Sequence, residues 1–217
     1  MKVINFAETP SLISQYMAEM RDVNIQGDMM RFRRNLERVG EIMAYEISKE
    51  LHYTNIGVET PLSTARCQVL DTDVVLGTIF RAGVPFHQGF LNFFDRAQNA
   101  FVSAYRKFRD DDHFDVFIEY IASPRLEGKT LILVDPMLAT GGSMELSYRA
   151  LLTKGEPAHI HVASVIASEY AVDYVSKHFP ADRTTLWMGA IDKDLNDHSY
   201  IVPGLGDAGD LAYGIKE

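Results

Sequence analysis

Four successive apolar residues, Leu131 to Val134, constrain the fold of this protein more than any other feature. Such a run fits a strand covered on both faces, because a strand with one face in water alternates apolar and polar residues. Comparable runs recur after His52 and alternate with patterns typical of helices, which predicts an α/β fold with a parallel sheet. The predicted strands are Val58 to Leu62, Gln68 to Leu70, Val74 to Phe80, Ala100 to Tyr105, Phe114 to Ile121, Thr130 to Val134, Ile160 to Ala167 and Thr185 to Met188.

Helical patterns precede and separate these strands. From Asp28 to Leu51 the apolar residues recur every three or four positions, as in an amphipathic helix. Ser11 to Met20 predicts a shorter helix, with Thr9 or Ser11 as its N-terminal cap. Further helices are predicted at Pro85 to Phe94, Gly142 to Lys154 and Glu169 to His178. Because no repeat, linker or low-complexity segment interrupts the pattern, residues 1–217 are predicted to form a single domain.

Composition narrows the classes of function. The formal net charge of −9 argues against broad binding of nucleic acid, which requires a basic face. No apolar run approaches the roughly 20 residues that cross a bilayer, so we expect no membrane attachment. The lone Cys67 cannot form an intramolecular disulfide, and Met1 to Pro10 has no targeting pattern. We therefore expect a reducing, cytoplasmic location.

Residues 130–144 carry the clearest chemical pattern: an apolar strand, an acid at its carboxyl end, a short turn, and Thr-Gly-Gly-Ser opening a helix. Gly141 and Gly142 permit close approach of the backbone to a ligand, and the helix start supplies N–H donors and partial positive charge. Thr140 and Ser143 add hydroxyl donors, while Asp135 is placed to accept from ribose hydroxyls or to assist a magnesium ion. The pattern predicts a site for a ribose phosphate.

An alternative interpretation is that the two glycines form a tight turn and that Ser143 caps a helix. A bare Thr-Gly-Gly-Ser more often marks such a turn, since short glycine motifs have many chance matches. The preceding strand and Asp135 at its end favour the binding site. A Walker A loop is excluded because no Lys follows the glycines at the required position.

Gly204, Gly206 and Gly209 satisfy the dinucleotide-binding pattern GxGxxG, but they do not predict such a site. That fingerprint opens a helix inside a βαβ unit, whereas only Asp210 to Glu217 follow here. We interpret the segment as a terminal loop whose glycines let backbone groups approach a flat ligand. A plain glycine-rich turn is the equally weighted alternative.

Arg81 and Arg106 each lie at or just after the end of a predicted strand. A guanidinium group binds phosphate oxygens through two parallel hydrogen bonds, so either arginine suits a phosphate at the carboxyl edge of the sheet. For an isolated arginine, a solvated surface charge is the more common outcome. Their role depends on where the fold places them.

Three other features favour structural interpretations. His159 and His161 share one face of a predicted strand but have no third metal ligand at a convincing spacing. Cys67 lacks a sequence context that would activate a nucleophilic thiol. The acidic run Asp110 to Asp112 is most simply a solvated loop tip.

Five segments, taken in order, resemble the uracil phosphoribosyltransferase family over nearly the whole sequence. They are ETPL at Glu59 to Leu62, RAG at Arg81 to Gly83, YR at Tyr105 to Arg106, VDPMLATGGS at Val134 to Ser143 and IVPGLGDAGD at Ile201 to Asp210. Other phosphoribosyltransferases commonly have two adjacent acids before the phosphate loop, whereas Asp135 is followed by Pro136 here, as in the uracil family.

The resemblance implies a phosphoribosyltransferase-type parallel-sheet core flanked by helices, an N-terminal helical segment and a small β hood or hairpin. It implies transfer of the ribose 5-phosphate of phosphoribosyl pyrophosphate (PRPP) to uracil, in pyrimidine salvage, with release of pyrophosphate. The implied cofactor is Mg²⁺, held largely by PRPP, and a homo-oligomer is expected.

The resemblance also assigns residues. The implied catalytic residues are Asp135, Arg81, Arg106 and Asp207. The implied PRPP-binding residues are Arg81, Arg106, Asp135, Pro136, Met137, Leu138, Ala139, Thr140, Gly141, Gly142, Ser143 and Asp207. The implied uracil-binding residues are Ile201, Gly206, Asp207 and Ala208.

Departures from the family fall mostly between the motifs. Arg106 is followed by Lys107-Phe108-Arg109, whereas the family commonly has an acidic run with a threonine at this point. The conformation of the segment after Arg106, which forms a mobile hairpin in the family, and any regulation by nucleotides therefore stay open. Two alternative functions also stay open: a phosphoribosyltransferase-fold regulator that binds RNA, and a transferase for another nucleobase.

Overall fold

The computed structural model describes residues 1–108 and 114–216, so the predicted loop tip at Asp110 to Asp112 lies outside the described residues. The strands are β1 (Lys2–Asn5), β2 (Tyr53–Glu59), β3 (Thr64–Leu70), β4 (Val74–Phe80), β5 (Gln98–Phe108), β6 (Phe114–Ala122), β7 (Thr130–Val134), β8 (Met137–Leu138), β9 (His159–Ser168), β10 (Thr184–Asp192), β11 (Asp194–Leu195) and β12 (Ile201–Val202). The helices are α1 (Leu12–Arg21), α2 (Met29–Ser48), α3 (Gly83–Leu91), α4 (Gly142–Leu151), α5 (Glu169–His178) and α6 (Ala208–Tyr213).

The central sheet has the strand order β1-β10-β9-β7-β4-β5-β6, with β8 beside β9. Its pairs are parallel except β5 with β6, which are antiparallel. The predicted α/β class with a mostly parallel sheet is therefore confirmed. The carboxyl ends of the parallel strands meet at one edge, and that edge is where ligands of open α/β sheets bind.

Strand β7 explains the architecture, since all five of its residues are buried. Ile132 and Val134 belong to an apolar cluster with side chains of α1, α2, α3 and α6. Leu131 and Leu133 point to the other face and belong to a cluster with side chains of α4 and α5. Alternate residues of one apolar strand thus pack against two separate helical layers, as the unbroken apolar run predicted.

The N-terminal helices agree with the sequence pattern. Ser11 caps α1, where it accepts a hydrogen bond from Ile13 N while Ser14 accepts from the Ser11 amide. Asp28 caps α2 through a 3.0 Å hydrogen bond from Arg31 N. Each cap satisfies amide groups that have no acceptor inside the helix, which is why the helices begin at these positions.

The strand predictions need correction in two respects. The strand predicted at Val58 to Leu62 runs from Tyr53 to Glu59 instead, because residues 60–63 close a turn in which Thr60 N donates to Ser63 O at 2.8 Å. Strand β1 and the two-residue strands β8, β11 and β12 were not predicted. The four residues of β1 form a strand only through parallel pairing with residues Thr185 to Met188 of β10, and local pattern does not encode such a distant partner.

Strands β2 and β3 form a separate antiparallel two-stranded sheet, the hairpin, and β11 pairs with β12 in another. Several apolar side chains of the hairpin are exposed: Tyr53, Ile56, Val58, Leu62 and Leu70. Within residues 1–108 and 114–216, no helix is both long and apolar enough to cross a bilayer.

Candidate active site

The donor loop, residues 135–143, leaves the carboxyl end of β7 and leads into α4. Backbone hydrogen bonds to β9 hold its start: Asp135 N donates to Ala163 O at 3.2 Å, and Ile166 N donates to Pro136 O at 3.0 Å. The Asp135 carboxylate accepts from Met137 N at 3.3 Å. Asp135 therefore stands at the end of a buried strand, where its sequence position predicted it.

The glycines of the donor loop differ in what they do. Gly141 has φ +85°, a left-handed conformation that favours glycine, and its carbonyl accepts the first α4 hydrogen bond from Glu145 N at 2.9 Å. A Cβ on Gly142 would meet only the Thr140 hydroxyl, at 3.8 Å. Space beside Gly142 is therefore open toward the helix start, where amide groups without intrahelical acceptors suit an anion.

The N-terminal cap of α5, Ser168, supports the donor loop through a hydrogen bond. The Ser168 hydroxyl donates to Ala139 O at 2.6 Å and accepts from Ala171 N at 2.9 Å. Ser168 is completely buried. One hydroxyl thus caps α5 and fixes the donor loop, a role that the sequence pattern did not indicate.

The terminal loop, residues 201–209, lies next to the donor loop. Ala208 N lies 3.3 Å from Met137 Sδ, which joins the two loops directly. Ile201 is buried, whereas Gly206 is exposed with φ +93°. The Asp207 carboxylate accepts from Asp210 N at 3.0 Å and caps α6. Two segments about 70 positions apart in sequence therefore form one continuous surface.

Arg81, directly after β4, reaches across to the residues around the terminal loop. Its Nη2 lies 2.6 Å from Asp210 Oδ1, and its Nη1 donates to Gly214 O at 3.1 Å. A Cβ on Gly209 would stand 2.9 Å from Arg81 Nη2 and 3.0 Å from Asp207 Oδ1. Glycine at 209 thus lets the guanidinium group and the acidic loop approach closely, so Arg81 is not an isolated surface charge.

Not every predicted site residue can be located at the level of its side chain. Arg106 belongs to β5, a neighbour of β4, but its side chain lies outside the described part of the structure. The structure does bring together Arg81, the donor loop, and Ile201, Gly206, Asp207 and Ala208 of the terminal loop. Their individual roles stay predictions.

Sequence reasoning missed the residues that anchor the terminal loop. Arg21 donates twice to Asp192, at 2.7 Å each, and also to Gly204 O at 2.9 Å. Asp192 accepts from Gly204 N at 2.8 Å as well. Gln26 donates to Leu205 O at 3.1 Å. Arg21 and Gln26 lie far from the loop in sequence, and no local motif signals any of the three anchors.

The surroundings of Asp192 favour its ionised form. Burial raises the pKa of Asp192, but hydrogen bonds from Arg21 and from Gly204 N outweigh it, so the pKa lies below the ordinary carboxyl value. Asp192 is therefore ionised at neutral pH, and its carboxylate binds the Arg21 guanidinium group and the loop together.

Three other features of the sequence have no separate binding site in the described part of the structure. His161 accepts from Trp187 Nε1 at 3.0 Å, and burial lowers the pKa of His161 to about 3, so it is a neutral core residue. The described residues contain no group of three or more potential metal ligands among His, Cys, Asp and Glu. Cys67 lies in β3 of the hairpin, paired with Ile56. The GxGxxG segment follows a two-residue strand and opens only the six-residue α6, which is no βαβ unit.

Comparisons with known proteins agree with one another. A family model described as uracil phosphoribosyltransferase matches residues 7–215. A uracil phosphoribosyltransferase of Porphyromonas gingivalis is 62% identical over 216 residues, and the match covers 100% of both proteins. One of Methanothermobacter thermautotrophicus is 40% identical, and the match covers 86% of this protein and 85% of the relative.

Solved structures give the same picture at the level of the fold. The AQ2163 protein from Aquifex aeolicus superposes with a TM-score of 0.87 at 28% identity, and the match covers 98% of both proteins. A hypoxanthine phosphoribosyltransferase from Staphylococcus aureus superposes with a TM-score of 0.50 at 11% identity, covering 75% of this protein and 76% of that one. At such low identity the second match shows a shared fold alone.

Proposed function

The chain belongs to the uracil phosphoribosyltransferase family, and from that premise we propose how its residues transfer ribose 5-phosphate from PRPP to uracil. Uracil N1 forms a bond to ribose C1, the bond from C1 to the pyrophosphate oxygen breaks, and the proton of N1 is released. UMP and pyrophosphate result. The observation that carries this assignment is the contact between the donor loop and the terminal loop at Met137 and Ala208.

The donor loop is proposed to hold the ribose 5-phosphate half of PRPP. Amide groups of residues 139–143 and the hydroxyls of Thr140 and Ser143 bind the 5-phosphate, supported by the open space beside Gly142. Asp135 accepts hydrogen bonds from the ribose hydroxyls. Holding PRPP and uracil in attack geometry supplies several kcal/mol of barrier reduction without a covalent enzyme intermediate.

Arg81 and Arg106 are proposed to stabilise the pyrophosphate as it leaves. Arg81 already lies at the carboxyl edge of β4, paired with Asp210. Its guanidinium group has five N–H donors, so it can bind pyrophosphate oxygens while it keeps a contact with the terminal loop. Because charge develops on the leaving group in the transition state, this stabilisation raises the catalytic rate.

Magnesium is proposed as the metal ion of the reaction. Mg²⁺ keeps several waters and is usually bound by one or two carboxylates together with substrate phosphates. That preference fits the described residues, which provide Asp135 and Asp207 at the site but no cluster of three metal ligands. When bound with PRPP, the ion neutralises charge on the departing pyrophosphate.

The terminal loop is proposed to recognise uracil through its backbone. Uracil presents an N3–H donor between two carbonyl acceptors, whereas cytosine has an acceptor at N3 and an amine at C4. A backbone carbonyl facing N3 and a backbone N–H facing O4, from residues 201 and 206–208, would both be mismatched by cytosine. Each mismatch leaves a buried polar group unpaired, at a cost of about 1–3 kcal/mol.

A homo-oligomer is proposed, with the hairpin in the subunit interface. An isolated two-stranded sheet is marginally stable in water, and Leu62 at its tip is 97% exposed. A second copy of the protein would cover these apolar side chains. Sedimentation of the wild type and of a Leu62→Asp, Ile56→Asp variant tests this proposal, since the variant should shift toward the monomer.

Two alternatives are weaker. An RNA-binding regulator conflicts with the net charge of −9. A transferase for another nucleobase would need a terminal loop unlike that of the uracil family.

We place the reaction in the cytoplasm, as part of pyrimidine salvage.

The deciding experiment incubates the protein with PRPP, Mg²⁺ and, in separate reactions, uracil, cytosine, orotate, hypoxanthine and guanine, followed by product identification. We expect UMP from uracil, loss of activity when Mg²⁺ is chelated, and little product from cytosine. Folded, magnesium-supplied protein that forms no UMP would contradict the assignment. Filter binding of structured RNA at two salt concentrations tests the regulator.

A further inference from the structure

Tyr174 of α5 lies against the glycine that gives the donor loop its shape. A Cβ built on Gly141 would stand 2.7 Å from Tyr174 Cδ1 and 3.3 Å from Cγ. The aromatic ring therefore occupies the space that a side chain at 141 would fill. Gly141 itself holds φ +85°, one of several conformations open to a free glycine. Contact with a rigid ring restricts that freedom.

The hydroxyl of the same side chain bonds to the next turn of α4. Tyr174 Oη donates to Glu145 Oε2 at 2.5 Å, and Glu145 Oε1 pairs with Arg149 Nη2. Glu145 is 8% exposed, so these two partners take the place of water around its carboxylate oxygens. The hydrogen bond to Glu145 raises the pKa of Tyr174 above its ordinary value, as expected for a phenol that donates to a carboxylate.

These two contacts act on the two ends of one helical turn. The amide of Glu145 donates to Gly141 O, so Gly141 and Glu145 begin the α4 hydrogen-bond ladder. The ring of Tyr174 contacts Gly141, and its hydroxyl bonds to Glu145. The ring also stacks on His178 of α5, at 3.9 Å between centroids and with an angle of 19° between the planes. Tyr174 is thus held by contacts within α5 as well as by contacts with the start of α4.

We propose that Tyr174 is a positioning residue for the 5-phosphate of PRPP, acting through Gly141 and Glu145. This proposal rests on the proposed function, because it assigns the support of that function's donor loop. Amide groups bind a phosphate well only when they are already oriented toward it. Since the 5-phosphate does not react, loss of this support weakens binding of the ground state and the transition state equally. KM for PRPP then rises and kcat changes little.

Three variants separate the ring from the hydroxyl. Tyr174→Phe keeps the ring and removes the bond to Glu145, whereas Tyr174→Ala removes both. Tyr170→Phe is the matched control, since it makes the same change one turn earlier on α5, where the ring is 57% exposed. The readouts are the dissociation constants of ribose 5-phosphate and of pyrophosphate by calorimetry, together with kcat and KM for PRPP.

We expect ribose 5-phosphate to bind about 3-fold to 10-fold more weakly to Tyr174→Phe, which is the effect of losing one ordinary hydrogen bond, because the lost bond acts on the phosphate only through α4. Tyr174→Ala should weaken it further, by more than about 10-fold. Pyrophosphate binding should stay unchanged, because that group lies at the other end of PRPP. Unchanged ribose 5-phosphate affinity in Tyr174→Ala would overturn the proposal. Equal weakening of both ligands with a matching fall in Tm would also overturn it, in favour of a purely structural role.

A double-mutant cycle with Gly141→Ala provides an independent test. In the wild-type background the new methyl group meets the Tyr174 ring, whereas in Tyr174→Ala only the Cβ of residue 174 remains near it, at the ordinary contact distance of 3.4 Å. If Tyr174 positions Gly141, the loss of ribose 5-phosphate affinity caused by Gly141→Ala should be smaller in the Tyr174→Ala background. Additive losses would contradict the coupling. Failure of the wild-type protein to form UMP would reject the proposed function separately, since calorimetry with ribose 5-phosphate needs no base.

Discussion

The donor loop and the terminal loop meet at one site, but they are held in different ways. The donor loop is a strand-turn-helix unit, supported by β9 and α5, the strand and helix that follow it in sequence. The terminal loop is held by side chains far away in sequence: Arg21 reaches Gly204 across 183 positions, and Gln26 reaches Leu205 across 179. A local unit can be recognised from one stretch of sequence, whereas a loop anchored from elsewhere depends on the whole fold.

The largest expected effect belongs to the donor loop. Asp135→Asn should lower kcat/KM for PRPP by about 10²-fold to 10³-fold, because the carboxylate is proposed to bind the ribose of PRPP and its place at a strand end is fixed by backbone hydrogen bonds. The Tm should change little. Asp182→Asn, at an exposed position, is the control. Steady-state kinetics and thermal unfolding distinguish a role in binding PRPP from a role in folding. Parallel losses of kcat/KM and of Tm would make Asp135 structural.

The terminal loop should respond to a change at its remote anchor. Arg21→Ala leaves the Asp192 carboxylate, whose side chain is 9% exposed, without its guanidinium partner. We expect the free energy of unfolding to fall by about 2–4 kcal/mol. KM for uracil should rise by about 10-fold, and KM for PRPP should change less.

Denaturant unfolding and kinetics with each substrate varied in turn measure these effects. Lys177→Ala removes an exposed ion pair with Asp173 and serves as the control, with a change below about 1 kcal/mol. An unaltered KM for uracil in Arg21→Ala would show that the anchor stabilises the fold without shaping the uracil site.

A pair of glycines, one in each loop, gives the most direct comparison. Gly204 has φ +62°, and a Cβ there would overlap Ile201 O, so Gly204→Ala should lower the free energy of unfolding by about 2–4 kcal/mol. Gly142→Ala has space for its methyl group in the folded protein, so its stability should stay within about 0.5 kcal/mol of wild type. Its KM for PRPP should nevertheless rise, because the methyl group would enter the open space beside the start of α4, where the 5-phosphate is proposed to bind.

Thermal unfolding together with PRPP kinetics separates the two glycines. If Gly142→Ala lost stability but kept its KM for PRPP, the glycine would serve the turn, which was the alternative interpretation of Thr-Gly-Gly-Ser. The comparison therefore tests a prediction that the sequence pattern left open.

Much of the fold could be predicted because its signals are local. The apolar run of β7 indicated burial on both faces, Ser11 was one of the two caps predicted for the first helix, and the apolar spacing after Asp28 indicated the second helix. Strand β1 was missed because four residues become a strand only beside β10. The strand predicted at Val58 to Leu62 began too late and ended too late, since β2 is Tyr53–Glu59 and the turn at residues 60–63 interrupts the β-rich segment. The single-domain organisation stays a prediction.

The sequence by itself determined the α/β class, the donor loop and the family, since each depends on neighbouring residues or on ordered motifs. Tertiary structure alone decided that Arg81 lies over the terminal loop, that Arg21 and Asp192 hold Gly204, and that Tyr174 packs on Gly141. The physical reason is that these contacts join residues brought together only by folding. A hydrogen bond depends on distance and direction in space, and sequence separation contains neither.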